Sequence, residues 1–143
     1  MKKLLVIAML ISGIALVGCK SQPKAVSDED FKNVYERYKN DLILDGAGTY
    51  TVVKGDTLSK ISREQYQNGF FFPVIMLASS DIVLDPDKIT PGMELIIPDL
   101  QANLNDARAK GSIKKFLMEI AKLEDERDRA NDADGLRKLA DTL

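Results

Sequence analysis

The hydrophobic pattern of residues 50–98 changes from that of a strand to that of a helix and back again. Residues 50–53 are aromatic and β-branched, and Gly55 and Asp56 interrupt them, which predicts a strand that ends in a tight turn. Asp56 or Thr57 can cap the helix that follows, because short polar side chains accept hydrogen bonds from its first N–H groups. Apolar residues then recur at helical spacing, at Leu58, Ile61 and Tyr66.

A second helix and a second strand complete the pattern. Pro73 falls where a helix can begin, since proline is tolerated in the first turn, and mostly apolar residues follow it up to Ser79. The turn dipeptide Pro91-Gly92 precedes an apolar, β-branched run at residues 93–97. Two strands separated by two helices can pair side by side with both helices on one face. The sequence therefore predicts an α+β fold, with a β-α-α-β domain over residues 49–98 and a two-stranded antiparallel sheet.

Two motifs bound this domain. The first, Val-x-x-Gly-Asp-Thr-Leu-x-x-Ile, runs from Val52 to Ile61, and the second, Ile-x-Pro-Gly-x-x-Leu-x-Ile-Pro, runs from Ile89 to Pro98. Together they resemble the LysM (lysin motif) family, whose members bind the N-acetylglucosamine backbone of peptidoglycan or chitin. The resemblance covers roughly a third of the chain and implies the same small β-α-α-β fold.

The resemblance also implies non-catalytic glycan binding in a shallow groove between the loop after the first strand and the loop before the second. The candidate binding residues are Gly55, Asp56, Thr57 and Leu58 in the first loop and Pro86, Asp87, Lys88 and Ile89 in the second. Backbone groups there can pair with an N-acetyl group, while Leu58 and Ile89 offer apolar contact to a sugar face. The turn, the helix cap and the core would need several of the same residues without any ligand.

Two features separate the segment from many LysM domains. Many of them carry Asn near the end of the second helix, where this chain has Ala78-Ser79-Ser80, and residues 66–73 lengthen the middle of the domain. Both features resemble a longer LysM subtype. The main alternative function is therefore an envelope protein-interaction or assembly lipoprotein that uses the domain and its flanking helices as a scaffold.

Amphipathic patterns flank the domain on both sides. Ser27 can cap a helix over residues 27–45 whose apolar residues share one stripe. That stripe consists of Phe31, Val34, Tyr35, Tyr38 and Leu42. In the C-terminal helical region, residues 99–143, helical spacing is sustained from Ser112, and a turn or helix start is predicted at residues 131–135. We interpret this region as a helical hairpin that packs on its own domain.

Residues 1–18 have the pattern of a bacterial lipoprotein signal peptide, with two lysines before a short apolar run that ends in Leu-Val-Gly-Cys. By resemblance to bacterial lipoproteins, Cys19 would carry a diacylglyceryl thioether and an amide-linked fatty acid such as palmitate, and residues 19–26 would form the tether. Two or more acyl chains anchor a protein stably. We therefore expect a lipid-anchored protein of the bacterial cell envelope, at the periplasmic face of a membrane, and Lys20 favours the outer membrane.

Charge and composition argue against several function classes. Cleavage after residue 18 would leave 18 basic residues against 22 acidic ones, a net charge of −4, so we do not expect nucleic acid as a partner. The chain has no histidine, which removes the usual base of a Ser or Cys nucleophile. We expect no enzymatic activity and no cofactor; a wall-remodelling enzyme with paired carboxylates is the weakest alternative, because it would need a substantial cleft.

No metal site is expected either. Asp132, Asp134 and Gly135 imitate the middle of an EF-hand loop, but Ala130 occupies the position of its first ligand and Asp141 that of its bidentate glutamate.

Two further clusters have alternative interpretations. Asp81, Asp85 and Asp87 are interpreted as a solvated acidic loop, because Pro86 interrupts them and no further ligand set accompanies them. The triple phenylalanine at residues 70–72 can be a sugar-stacking platform, but next to a helix start we favour a place in the core.

Overall fold

The structure is a computed structural model that describes residues 25–143. The predicted signal peptide and the predicted lipidation site, Cys19, lie outside the described residues. Within residues 25–143 the elements are α1 (Asp28–Tyr38), β1 (Gly48–Thr51), α2 (Leu58–Tyr66), α3 (Phe72–Ala78), β2 (Glu94–Ile97), α4 (Leu100–Asn105), α5 (Ala107–Glu126) and α6 (Ala130–Thr142). Short 3-10 turns lie at Lys39–Asp41, Gly69–Phe71 and Pro86–Lys88. None of these helices has the length and apolar character needed to cross a membrane.

The two strands form an antiparallel sheet in which Tyr50 lies opposite Leu95. Backbone pairing continues beyond β1, since the Val52 N–H donates to the Met93 carbonyl and the Gly92 N–H donates to the Val52 carbonyl, each at 2.8 Å. In the chain, α2 and α3 lie between the strands, and α3 packs on both α2 and β2. The predicted α+β fold with a two-stranded antiparallel sheet is confirmed.

Side-chain caps set the starts of the first helices. At α1 the Ser27 hydroxyl accepts from the Asp30 N–H, and the Asp30 carboxylate accepts from the Ser27 N–H. At α2 the Thr57 hydroxyl accepts from the Lys60 N–H at 3.2 Å. α1 ends at Tyr38, which is earlier than predicted, and a 3-10 turn follows it.

The C-terminal region differs from its prediction in the position where its long helix begins. α5 begins at Ala107 instead of Ser112, because the Asp106 carboxylate accepts hydrogen bonds from the first N–H groups of the helix. Residues 131–135, predicted as a turn or a helix start, lie at the start of α6, which begins at Ala130. The chain reverses just before them, where Asp128 has a left-handed φ of 59°.

One hydrophobic core joins the β-α-α-β domain to its flanking helices. Phe31 and Tyr35 of α1 are buried with Phe116 of α5, and the ring centroids of Tyr35 and Phe116 lie 5.8 Å apart. The Tyr35 hydroxyl also donates to the Leu84 carbonyl at 2.6 Å, just before the second candidate loop. The hairpin of α5 and α6 therefore packs on the domain and approaches its loops.

Candidate functional site

The first candidate loop is a tight turn held by Asp56. Gly55 has a φ of 93°, a left-handed conformation that favours glycine. The Asp56 carboxylate accepts hydrogen bonds from the Val53 N–H and the Tyr50 hydroxyl, both at 2.9 Å, and from Lys60 Nζ at 3.3 Å. The bond from the Val53 N–H is the main reason that the pKa of Asp56 lies below its usual range. Gly55 and Asp56 therefore shape the turn, and the Asp56 carboxylate is occupied within it.

The second candidate loop is fastened to the rest of the molecule. The Asp85 carboxylate caps its 3-10 turn by accepting from the Asp87 N–H at 3.0 Å. Lys88 donates to Asp28 of α1, and this hydrogen bond raises the pKa of Lys88. Ile89 is half-buried against the core. Lys88 and Ile89 therefore hold the loop in place.

The two loops meet around one pocket of about 220 Å³. Its lining from the domain consists of Thr57, Leu58, Ser59, Phe72, Pro86 and Asp87. Its lining from the C-terminal hairpin consists of Glu124, Arg129 and Asp132. The structure thus brings Thr57, Leu58, Pro86 and Asp87 together at the pocket, whereas the other four candidate residues lie outside its lining.

Two arginines at the α5–α6 turn hold the second loop. Arg127 donates to Asp85 at 3.0 Å and to Asp87, and its guanidinium lies 5.4 Å from the ring centroid of Phe31. Arg129 donates to both carboxylate oxygens of Asp87, at 2.8 and 2.6 Å. Asp85 is only 8% exposed. The prediction of a solvated acidic loop is therefore wrong for Asp85, because the hairpin covers and neutralises it.

Glu124 is a buried carboxylate at the edge of this network, with 1% of its surface exposed. Arg129 Nε lies 2.8 Å from one of its oxygens and Arg127 Nη1 lies 3.6 Å from the other. Both oxygens of Glu124 are therefore held in ion pairs, although neither contact meets hydrogen-bond geometry. Burial raises the pKa of Glu124, against the opposing effects of Arg129 and Arg127.

A second, more open pocket of about 340 Å³ lies where α2 meets the end of β2. Its walls include Gln65, Tyr66, Pro98 and Gln101, and none of the candidate residues. The Tyr66 hydroxyl is already bonded to the Pro98 carbonyl at 2.9 Å. The pocket between the loops is therefore the better candidate, because it combines the candidate residues with apolar and charged lining residues.

Within residues 25–143, no group of three or more Cys, Asp or Glu side chains could hold a metal ion.

The triple phenylalanine divides between two roles. Phe71 and Phe72 are buried in the core, and Phe72 also lines the pocket. Phe70 is 38% exposed, and its ring lies against Gly135 of α6. The expected place in the core is therefore found for Phe71 and Phe72, whereas Phe70 joins the domain to the hairpin.

The hairpin residues of the pocket were not among the candidates from the sequence. The only signal for Glu124 and Arg129 was the change from apolar spacing to charge at residues 124–129, which is typical of a solvated helix end, and Asp132 was considered only as part of an EF-hand-like loop. Arg127 and Asp85 are 42 positions apart in the chain. A pairing over that separation follows from the packing of the hairpin and not from any local pattern.

Comparison with known proteins identifies the domain. The family model described as "LysM domain" matches residues 50–98. The chain is 46% identical over 50 residues to the potassium binding protein Kbp of Escherichia coli, a match that covers 35% of this chain and 34% of Kbp. It is 38% identical over 74 residues to the esterases MT1326 and Rv1288 of Mycobacterium tuberculosis, covering 52% of this chain and 15% of each esterase. No solved structure matches the chain significantly.

The match thus spans about a third of Kbp and a much smaller share of the two esterases. The match of the family model coincides with the β-α-α-β fold and with both loops that border the pocket. Residues 50–98 are a LysM domain, and the chain is a LysM domain-containing protein.

Proposed function

We propose that the protein binds the glycan strands of peptidoglycan without catalysing a reaction, in the pocket between the two loops of its LysM domain. One observation carries this proposal: Thr57, Leu58, Pro86 and Asp87, from both motif-bearing loops, meet at one pocket. The LysM domain is a binding domain, and its family supports glycan as the ligand class.

The chemistry of the pocket suits a sugar. A pyranose ring has an apolar face and a rim of hydroxyl and amide groups, so its site needs apolar contact and a few placed polar groups. Leu58, Phe72 and Pro86 supply apolar surface, and Ser59 and Asp87 supply polar groups beside it. The pocket contains no histidine, since the chain has none. Binding by these residues requires no bond to be broken.

We further propose that the protein acts as a lipoprotein of the bacterial cell envelope, anchored through Cys19 and held on the outer membrane. A single site with a millimolar dissociation constant contributes only about 4 kcal/mol of binding free energy. Tethering next to the wall raises the effective concentration of the site. A membrane anchor would therefore compensate for the weak binding of a single LysM domain, which lacks the gain in affinity of a tandem array.

A pull-down of the detergent-solubilised full chain with protein-free sacculi tests the glycan proposal. Ser59 is exposed and lines the pocket, so Ser59→Tyr should fill the pocket and abolish binding without disturbing the core. Gln65→Tyr places the same side chain on an exposed position of the same helix, at the second pocket. It should leave binding unchanged.

The outcomes separate the alternatives. Loss of binding with Gln65→Tyr and not with Ser59→Tyr would move the site to the second pocket. If the unsubstituted chain does not bind sacculi, glycan binding fails, and the envelope protein-interaction function takes its place.

A further inference from the structure

Another pocket, of about 280 Å³, lies where the LysM domain meets α6, and we call it the Phe70 pocket. Its lining consists of Asn68 and Phe70 of the domain and of Gly135, Lys138, Leu139 and Thr142 of α6. Phe70 is 38% exposed, and one edge of its ring packs on Gly135. An aromatic ring at the surface is thus held between the domain and the hairpin.

One helix forms a wall of both this pocket and the pocket between the loops. Asp132 of α6 lines the pocket between the loops, whereas Gly135 and Leu139 line the Phe70 pocket. Residues three and seven positions apart share one face of a helix, so the same face of α6 borders both pockets. Seven residues of helix span about 10 Å, which is more than the length of one sugar ring.

The LysM domain brings the opposite walls of the two pockets together as well. Ser59 lines the pocket between the loops, and its carbonyl oxygen lies 3.0 Å from the point that a Cβ atom on Gly69 would occupy. Phe70 follows Gly69 directly in the chain. The two pockets are therefore neighbours on both sides, along the domain and along α6.

The lining of the Phe70 pocket suits a sugar ring. An aromatic side chain can pack on the apolar face of a pyranose, and Asn68, Lys138 and Thr142 place polar groups around the Phe70 ring. Lys138 and Thr142 are exposed. Apolar contact with a few polar groups beside it is the combination that a sugar requires. A glycan strand that leaves the pocket between the loops along α6 meets this surface next.

We propose that the Phe70 pocket is a second glycan subsite, which binds further sugar units of the strand that occupies the pocket between the loops. Phe70 is its aromatic contact, and α6 supplies the wall that the two subsites share. The hairpin thereby lengthens the glycan site of the LysM domain. This inference rests on the proposed function and specifies the ligand as a strand of several sugar units.

Isothermal titration of the detergent-solubilised full chain with N-acetylglucosamine oligomers of one to six units tests the inference. Six units should bind more tightly than two, because only the longer oligomer reaches both pockets. Phe70→Leu keeps an apolar side chain against Gly135 and removes the aromatic ring. It should weaken the binding of six units roughly tenfold, as expected for the loss of a stacking contact, and leave the binding of two units unchanged.

Met118→Leu is the matched control, because Met118 is similarly exposed, at 36%, and lies outside the linings of both pockets. It should bind every oligomer as the unsubstituted chain does. A second measurement needs no substitution. In the unsubstituted chain, the amide resonances of Gly135 and Lys138 should shift on titration with six units and not with two.

Three results would overturn the inference while leaving glycan binding in place. The first is equal affinity of the unsubstituted chain for two and six units. The second is a Phe70→Leu chain that binds six units unchanged or loses the same factor at both lengths. The third, which also decides the question if Phe70→Leu does not fold, is the absence of amide shifts at Gly135 and Lys138 with six units. If the unsubstituted chain binds neither oligomers nor sacculi, the proposed function and the inference fail together.

Discussion

At the scale of single residues, Arg127 connects three parts of the molecule. It follows α5, donates to Asp85 and Asp87 of the LysM domain, and stacks over Phe31 of α1. Its side chain is largely buried, as is that of Asp85. Opposite charges held out of water depend on each other, because removing one leaves the other unpaired in a poorly solvated place.

We therefore predict that Arg127→Met lowers the free energy of unfolding by about 3 kcal/mol, since Asp85 loses its hydrogen-bonded arginine and keeps only Lys88 Nζ, at 3.8 Å. Arg137→Met is the control, because Arg137 pairs with Asp125 and Asp134 on an open surface, where ion pairs add little. Urea denaturation followed by circular dichroism measures both variants. Equal stability of the two variants would contradict the connecting role of Arg127.

Glu124 makes a second prediction at this scale, concerning pH. Burial raises its pKa in the folded state, so the folded protein binds the proton more tightly than the unfolded chain does. The resulting stabilisation is complete below the unfolded pKa of about 4.3 and is lost as the pH rises through the folded pKa. Glu124→Gln removes this titration. Relative to the unsubstituted chain, the free energy of unfolding of the variant should therefore increase as the pH rises above about 4.3.

Denaturant unfolding of both proteins at a series of pH values measures this difference. The charged groups around Glu124 are Arg129, Arg127, Asp132 and Asp87, and they remain in the variant. If the difference in free energy of unfolding between the two proteins does not change with pH, burial does not raise the pKa of Glu124 in the folded state.

At the scale of elements, the contact of Phe70 with α6 explains a glycine inside a helix. A Cβ atom on Gly135 would lie only 2.1 Å from the Phe70 ring, so this position of α6 must be bare for the ring to pack there. Glycine in a helix interior is less favourable than alanine by about 1 kcal/mol. The contact between the LysM domain and the hairpin offsets that cost.

We predict opposite effects for two Gly→Ala substitutions in the hairpin. Gly111→Ala meets no atom within 4 Å and should raise the free energy of unfolding by about 0.5–1 kcal/mol. Gly135→Ala must displace the Phe70 ring and should show no gain or a net loss. Thermal unfolding compares them, and an equal gain in both variants would contradict the packing role of Gly135.

The elements that local chemistry determines could be predicted from the sequence. Ser27 and Thr57 act as caps, and Pro73 lies at the start of α3, because each acts on the first turn of its own helix. The polar residues before Gly135 indicated a turn or a helix start. No local signal predicts that the Phe70 ring fills the space that a side chain at position 135 would need.

The residues of the candidate site likewise fall into two groups, those that a sequence motif predicts and those that only tertiary packing brings to the pocket. Thr57 and Leu58 belong to a sequence motif, and the structure places them at the pocket. Glu124 and Arg129 reach the pocket only because the apolar face of α5 packs on the domain. Such a contact depends on tertiary packing between segments that are distant in the chain, so no local sequence motif predicts it.

At the scale of the whole molecule, the proposed anchor makes one prediction outside the described residues. Cys19→Ala should block lipidation and cleavage by the lipoprotein route, because the modified sulfur is absent. Metabolic labelling with radioactive palmitate and determination of the mature N-terminus measure this. A chain that takes up no fatty acid and whose mature terminus lies elsewhere would contradict the lipoprotein proposal.

The continuous core leads to a last prediction, that the LysM domain and the hairpin unfold together. Phe116 of α5 is fully buried and contacts both Tyr35 and Tyr38 of α1, with ring centroids 5.8 Å apart in each pair. Phe116→Ala would leave a cavity where these helices meet. It should lower the free energy of unfolding by about 3–5 kcal/mol.

Hydrogen exchange locates the effect. In Phe116→Ala the protected amides of β2, such as that of Leu95, and those of α6, such as that of Leu136, should exchange faster by the same factor, because one cooperative opening exposes both. Met118→Ala on the same helix is the control; Met118 is 36% exposed, so its removal should change exchange much less. Faster exchange confined to α6 would show that the hairpin opens separately from the LysM domain, and it would contradict the prediction that the two unfold together.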